Sequence, residues 1–190
     1  PVPYEHQFYS TVLKGIFSLD LDSVGRFSIV NKTGYMNITE AYSQEWEANN
    51  CKVEDEGKVV ILPNDIRGKR ASELIGILPY INGGAKQTSH LTDVSPKFIV
   101  LTILDCGNNI FMNIAGDNKG EATINVQALK EVILDYQENI ISDIYIGKRE
   151  GFFDESKGEL KEMCDEINGL LTHAKIHFLT VNEAVAEFQQ

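Results

Sequence analysis

The chain has few cysteines, no long apolar run and a shortage of cations, and each of these features excludes a class of protein. Its 190 residues include three cysteines, which lie far apart at Cys51, Cys106 and Cys164. Widely spaced cysteines in odd number do not build a disulfide framework, and no pair of them has the spacing of a zinc site. No stretch approaches the roughly 20 apolar residues that a membrane-spanning helix requires. We therefore expect buried thiols in a reducing compartment, no membrane partner and a cytoplasmic location.

The shortage of positive charge argues against a general nucleic-acid binder. Lys and Arg number 17, Asp and Glu number 28, and the formal net charge is −11. Proteins that bind nucleic acid without sequence preference usually carry a basic domain. Any nucleic acid would therefore have to meet a local positive groove on this chain, with the acidic side chains facing elsewhere.

One stretch departs from this acidic background. Between Asp65 and Lys97, five cations stand against three acids. The cations are Arg67, Lys69, Arg70, Lys86 and Lys97. The pair Gly83-Gly84 lies among them, and glycines let backbone amides approach an anion closely. The pattern favours an anion site, although the alternative that Arg67, Lys69 and Arg70 form an ordinary solvated face stays open.

The same stretch predicts a helix, a loop and a buried strand. Apolar residues recur at helical spacing and should share one buried face: Leu74, Ile75, Leu78 and Ile81. Asp65 stands where an N-cap belongs, and Pro79 should end the helix near Leu78. Ser95-Pro96 favours extended backbone, and the apolar run 98–104 is typical of a buried strand.

The rest of the chain predicts an α+β protein. Strands are predicted at 8–22, 26–30, 58–62, 98–104, 110–115, 140–147 and 175–181, the first two as a hairpin. Helices are predicted from Asp65, from Asn125, through 160–170 and from Asn182. The polar segment 31–57, which contains Trp46, is predicted to be a loop or a small insertion. This irregular order favours a mainly antiparallel sheet with helices on one side over a doubly wound parallel sheet.

Three patterns that could indicate catalysis or a metal site are weak. His173 and His177 have the spacing of metal ligands on a helix, but along the predicted strand they would lie about 13 Å apart. Residues 83–88 resemble a phosphate loop only faintly. Such a loop needs Gly-Lys-Ser/Thr between a strand and a helix, and here Gln87 follows the lysine and the predicted order is helix, loop and strand. Ser89, His90 and Asp93 are close in sequence, whereas catalytic triads are assembled in space. We therefore predict no catalytic residue, no metal site and no cofactor.

Two motifs in order carry a family resemblance. The first, between residues 4 and 27, contains YEHQFYS, LKGIFSLDLD and GRF; the second, between residues 78 and 97, contains LPY, GGAKQ and DVSPK. Together they resemble the DevR-type CRISPR-associated backbone subunit of type I Cascade surveillance complexes, over the carboxyl-terminal two-thirds of that family. The resemblance implies that residues 1–190 form a single domain that lacks an amino-terminal part of the same fold before Pro1.

The resemblance also implies a fold, a function and a set of contacts. The fold would be a modified RNA-recognition-motif, or ferredoxin-like, core with insertions. The protein would be a non-catalytic subunit in antiviral defence that oligomerises along a guide RNA and contacts other copies of itself and other Cascade subunits. By position, the implied RNA contacts are Arg67, Lys69, Arg70, Gly83, Gly84, Lys86, Gln87, Ser89 and His90. Binding of this kind uses cations and backbone N–H groups on phosphates.

Two alternatives stay open. One is an acidic protein–protein interaction or regulatory module that binds no RNA, which suits the net charge of −11. The other is an RNA-cleaving relative, for which Asp93 is the loop acid we would nominate. The classical RNA-recognition signature of glycine and aromatic residues on a central strand is missing, and residues 149–153 resemble it only loosely.

Overall fold

The computed structural model describes residues 11–29, 37–84, 91–118 and 121–190, without the side chains of Glu40, Ser43 and Gln44. The protein is of the α+β class. Its strands are β1 (Arg26–Ser28), β2 (Lys52–Glu54), β3 (Val59–Ile61), β4 (Phe98–Leu101), β5 (Ala115–Asn118), β6 (Glu121–Ile124), β7 (Ile144–Lys148) and β8 (Ile176–Leu179). Its α-helices are α1 (Ser43–Ala48), α2 (Asn64–Gly76), α3 (Val126–Asp135), α4 (Lys157–Asn168) and α5 (Val181–Phe188). Short 3-10 turns lie at Glu40–Tyr42, Asp55–Gly57, Leu78–Tyr80, Gln137–Asn139 and Asp154–Ser156.

The strands form three small sheets. The first has the order β1-β3-β2 and is antiparallel. The second has the order β4-β7-β8, with β7 antiparallel to β4 and parallel to β8, so α4 makes the crossover between two adjacent parallel strands. The third is the antiparallel pair β5-β6. The prediction of a mainly antiparallel sheet is therefore correct for the first and third sheets, whereas the second sheet is mixed.

The main core lies between the second sheet and helices α3 and α4. Ile144 and Ile146 of β7 are completely buried, because alternate strand residues share one face. Leu129 of α3 and Ile167 of α4 are equally buried and belong to the same cluster. Burial of each such side chain stabilises the fold by about 1.5–3 kcal/mol. The helices α3 and α4, which the helical spacing of these apolar residues predicted, are therefore confirmed.

The opposite face of the second sheet is covered as well, by α5. A Cβ at Gly147 would lie 2.8 Å from Ile99 Cγ2 and 2.8 Å from the Cα of Val181, so glycine allows this close approach. Tyr145, on the same face, meets Phe188 of α5 edge-on with the ring centroids 5.7 Å apart. The prediction of helices on one side of the sheet is wrong, because β7 presents groups that can be buried on both faces.

Helix termini are set by local capping groups. The Asn125 side chain accepts a hydrogen bond of 2.9 Å from the Ala128 N–H, which confirms the predicted start of α3. At α5 the cap is Thr180, which forms a capping box with Glu183, so this helix begins one residue before the predicted Asn182. Helix α2 begins at Asn64 after Pro63, so Asp65 lies in its first turn and is not the N-cap.

Predictions for the amino-terminal part failed in their strand pairing. Residues 11–20 have no regular secondary structure, and β1 pairs with β3 and not with the preceding segment. Asp20 accepts hydrogen bonds from the N–H groups of Asp22 and Ser23, so a side-chain-stabilised turn replaces the predicted strand there. Residues 8–10 lie outside the described residues.

Two further segments differ from their predictions. The segment 31–57, predicted to be a loop or a small insertion, contains α1 and β2 in its described part and contributes a strand to a sheet, so the loop alternative is too simple. Strand β2 has the sequence KVE and buries none of its three residues, so no apolar alternation marks it in the sequence. Residues 110–113 form a turn and not a strand, although Ile110 and Ile114 are buried as apolar residues should be. The strand predicted at 98–104 is regular only to Leu101.

The helix face predicted from Leu74, Ile75, Leu78 and Ile81 is buried only in part. Ile75 is buried, whereas Leu74 is 46% and Ile81 41% exposed. The three thiols are free, but the prediction that they are buried holds only for Cys164, since Cys51 and Cys106 are partly exposed. Cys164 is buried, and this burial raises its pKa to about 12.

Candidate nucleic-acid interface

Helix α2 differs in charge from every other described helix. It carries Arg67, Lys69 and Arg70 against two acids. Helices α1 and α5 each carry two acids and no cation, α3 carries one cation against two acids, and α4 two cations against four acids. Three of the five cations that the sequence singled out therefore lie together on the one described helix with a positive balance. Such a surface attracts an anionic polymer to one side of an acidic protein.

Arg67 is largely occupied by contacts within the protein. Its Nε donates to the carbonyl of Val24 at 2.8 Å, and its Nη2 donates to the carbonyls of Leu21 at 3.0 Å and Asp22 at 3.3 Å. Its Nη1 donates to Asn64 Oδ1 at 3.3 Å. The guanidinium thus holds the turn before β1 against the start of α2. Most of its donors are used in that role, which leaves little of it for a phosphate.

Lys69 and Arg70 are less constrained. The Lys69 side chain is 75% exposed, with Nζ 3.8 Å from Glu73 Oε1, an exposed pair of little energetic consequence. The Arg70 guanidinium carbon lies 5.9 Å from the centroid of the Phe27 ring, a cation–π distance that orients the side chain along the outside of β1. Both cations are placed where a ligand could reach them.

The loop that follows α2 is described only in part. Gly84 has a φ of +117°, a conformation that favours glycine, and a Cβ at Gly83 would meet no atom within 4 Å. The other four predicted contacts, Lys86, Gln87, Ser89 and His90, lie outside the described residues. The structure therefore bears on five of the nine predicted contacts.

Sequence reasoning missed a second group of cations, which line an open cavity of about 680 Å³ beside Arg67. Arg26 of β1 and Lys52 of β2 both lie opposite Ile61 of β3, so their side chains leave the sheet on the same face. Glu54 joins them: Arg26 Nη1 is 3.1 Å from its Oε2, and Lys52 Nζ is 2.7 Å from its Oε1. Only the pairing of β1 and β2 with β3 brings these residues together, and no sequence signal indicated that pairing.

These neighbours favour the ionised form of Glu54. The hydrogen bond from Lys52, and with it that from Arg26, holds the pKa of the Glu54 carboxyl below its usual value. The cavity is therefore lined by the Glu54 carboxylate between two cations, together with Arg67 and a second acid, Asp22. A second cavity of about 440 Å³ lies between α1 and α2 and is lined mainly by apolar side chains, including Trp46, and by Arg70.

Of the residues considered for catalysis or a metal site, the described ones make structural contacts, whereas Ser89 and His90 lie outside the described residues. Asp93 pairs with Lys97 and accepts a hydrogen bond of 2.9 Å from the Ser95 N–H, and these partners depress its pKa, the Lys97 contact most. His173 Nε2 lies 2.7 Å from the carbonyl oxygen of Gln137. His177 Nε2 lies 2.8 Å from Asp143 Oδ2. Among the residues that the structure describes, no group of three or more His, Cys, Asp or Glu side chains could hold a metal ion.

Comparisons of this chain with protein-family models, with curated proteins and with solved structures found no match. In the part of the chain that the structure describes, no helix combines the length and the apolar character that crossing a membrane requires.

Proposed function

We propose that this chain is a non-catalytic guide-RNA-binding subunit of a type I CRISPR surveillance complex. In this role it oligomerises along the RNA, contacts other Cascade subunits in the cytoplasm and serves antiviral defence. The observation that carries the proposal is the positive balance of α2, beside Gly83-Gly84, in a chain whose formal net charge is −11. The resemblance of residues 4–27 and 78–97 to the DevR-type family supplies the biological context.

The proposal keeps the RNA-recognition-motif type of core. Its support is the small sheet β4-β7-β8, with α4 crossing one face between two of its strands. A split βαβ unit places another strand between its two parallel strands, whereas β7 and β8 are adjacent here. The described sheet differs from an RNA-recognition-motif core on this point, and an experimental structure of the RNA-bound protein with the same adjacency of β7 and β8 would exclude that core without excluding RNA binding.

One observation favours the second candidate function, a protein–protein module that binds no RNA. Large apolar side chains are exposed along the end of α2 and the turn after it, with Leu74 at 46%, Ile77 at 56% and Tyr80 at 69%. Exposed apolar side chains that lie near one another are typical of surfaces that contact a protein. Contacts between copies in an RNA-bound filament would use such a surface too, so RNA binding distinguishes the two functions.

The test is the binding of the chain to labelled single-stranded RNA of a few tens of nucleotides across a salt series. We expect cooperative binding that requires a minimum RNA length and weakens steeply with salt, because phosphate contacts release counterions. Lys69→Glu and Arg70→Glu should each weaken it. Lys161→Glu is the matched control, since it makes the same charge change on the exposed face of α4. Retention on a protein partner without binding to RNA at low salt would contradict the proposal and favour the second candidate.

A further inference from the structure

In the antiparallel sheet β1-β3-β2, the charged groups of two cations lie beside the same carboxylate. Arg26 and Lys52 stand on the outer strands, on either side of Ile61, so their Cα atoms are about two strand spacings, or roughly 10 Å, apart. Their charged groups nevertheless converge, because each contacts a different oxygen of Glu54, at 3.1 Å and 2.7 Å. The sheet therefore holds an arginine and a lysine around a single oxyanion.

A phosphate group of RNA resembles that oxyanion in the property that matters here. A carboxylate and a phosphodiester each offer two acceptor oxygens that share a negative charge, and arginine and lysine bind both. Arg26 and Lys52 are accessible from solvent, with side chains 41% and 73% exposed, and the cavity in front of them is open. An ion pair as exposed as this one contributes little to stability, so an incoming phosphate can displace Glu54.

We propose that Arg26 and Lys52 bind a phosphate of the guide RNA, and that Glu54 occupies this cation pair until the phosphate displaces it. This inference rests on the proposed function and adds a contact to it that lies outside the stretch 65–97. The same cavity touches Arg67, whose clamp on the turn at 21–24 keeps β1 in position. RNA that contacts α2 and this pair would therefore cross the face between them, and Glu54 would lower affinity by competing for the two cations.

The competition predicts that removal of the Glu54 charge from its ion pairs with Arg26 and Lys52 strengthens RNA binding. Glu54→Gln should increase RNA affinity by about threefold or more, since Arg26 and Lys52 are released for the phosphate. Glu56→Gln is the matched control, because it removes the same charge only two residues from Glu54. The Glu56 side chain is 90% exposed, and its Oε2 lies 3.7 Å from Lys58 Nζ. An equal gain in the two variants would mean general electrostatics and would overturn the competition.

The two cations are tested directly by Arg26→Gln and Lys52→Gln. Each should weaken RNA binding about three- to tenfold and reduce the salt slope by about 0.7, the value for one contact with single-stranded nucleic acid. Lys52→Arg should retain binding, since arginine also reaches a phosphate. Lys58→Gln, on the same sheet but paired with Glu56, should have less effect. Should Arg26→Gln unfold the sheet, which circular dichroism would reveal, the exposed Lys52 still decides the matter.

The outcomes separate this inference from the function on which it rests. If the unaltered chain binds no RNA at low salt, both fail. If it binds RNA, and Lys52→Gln and Arg26→Gln bind as tightly with the same salt slope, the cation pair is refuted and the proposed function stands. Weaker binding in those two variants, with tighter binding in Glu54→Gln than in Glu56→Gln, supports the pair and its internal competitor.

Discussion

The two larger sheets of this protein differ in what lies on their faces. The sheet β4-β7-β8 is covered by α3 and α4 on one face and by α5 on the other, and its central strand has Ile144 and Ile146 completely buried. The sheet β1-β3-β2 buries Val60 and Ile61 but turns Arg26 and Lys52 toward an open cavity. Stability is therefore concentrated in the carboxyl-terminal part, while the cations available for a ligand lie in the amino-terminal part. Proteins commonly draw their binding regions from such less densely packed parts.

The largest expected effect is on the free energy of unfolding, and it compares the packing of the main core with that of the sheet β1-β3-β2. Ile133→Ala should lower the free energy of unfolding by about 2–5 kcal/mol, because the residue is completely buried between α3 and its neighbours. The same truncation at Ile61, which is 9% exposed beside the open cavity, should cost less. Urea denaturation followed by circular dichroism measures both. A loss at Ile61 equal to that at Ile133 would show that the two sheets are equally well packed.

Gly147→Ala tests the close contact between β7 and α5. The added methyl group would lie 2.8 Å from the Val181 backbone, so the free energy of unfolding should fall by about 1–3 kcal/mol. Gly68→Ala in α2 is the control, since no atom lies within 4 Å of its Cβ position and alanine favours a helix interior by up to about 1 kcal/mol. The two substitutions should therefore shift the thermal midpoint in opposite directions. A stable Gly147→Ala variant would mean that α5 lies farther from the sheet than described.

Arg67→Lys separates the role of a clamp from that of an RNA contact. Lysine keeps the charge but has a single nitrogen in place of the wide planar fork of arginine, so the hydrogen bonds to the carbonyls of Leu21 and Val24 cannot all be replaced. We expect a loss of about 1–2 kcal/mol in stability, measured by thermal unfolding. Any change in RNA affinity should be smaller than that of Lys69→Glu. Unchanged stability together with lost RNA binding would instead make Arg67 a direct contact.

The smallest effect concerns pH and the carboxyl-terminal sheet. The hydrogen bond from His177 lowers the pKa of Asp143, so this carboxylate stabilises the folded state above the ordinary Asp pKa of about 4. That contribution is lost as the pH falls through the lowered value. Stability measured against pH should therefore decline less steeply below about pH 4 in Asp143→Asn than in the unaltered chain. Identical profiles would mean that Asp143 makes no net contribution.

Local patterns predicted the carboxyl-terminal part better than the amino-terminal part. The spacing of Leu160, Met163 and Ile167 indicated α4, and Asn125 indicated the start of α3, because helix periodicity and capping are properties of neighbouring residues. The segment 11–20 has an alternating pattern typical of a strand, yet its turn at Asp20 directs the chain away from that conformation. The strand β1 is three residues long and pairs with β3, a partner that no local signal identifies.

The candidate site, like the fold, could be predicted from the sequence only in part. The sequence indicated the cations of α2 and the glycine loop after it, because charge and composition are visible in one stretch of chain. It did not distinguish the anchored Arg67 from the exposed Lys69, since the carbonyls that hold Arg67 come from the turn before β1. Arg26 and Lys52 were missed because only the pairing of β1 and β2 with β3 brings them together, and neither lies near α2 in the chain.

The sequence by itself determined the α+β class, the carboxyl-terminal helices and the location of local positive charge, all of which depend on residues within a few turns of one another. Only the tertiary structure decided that both faces of β7 are covered, that Arg67 is a clamp, and that Arg26 and Lys52 converge on Glu54. The physical reason is that strand pairing and helix packing are selected by the burial of surface across the whole chain. That selection depends on distances in space and leaves no periodic trace in the residues it brings together.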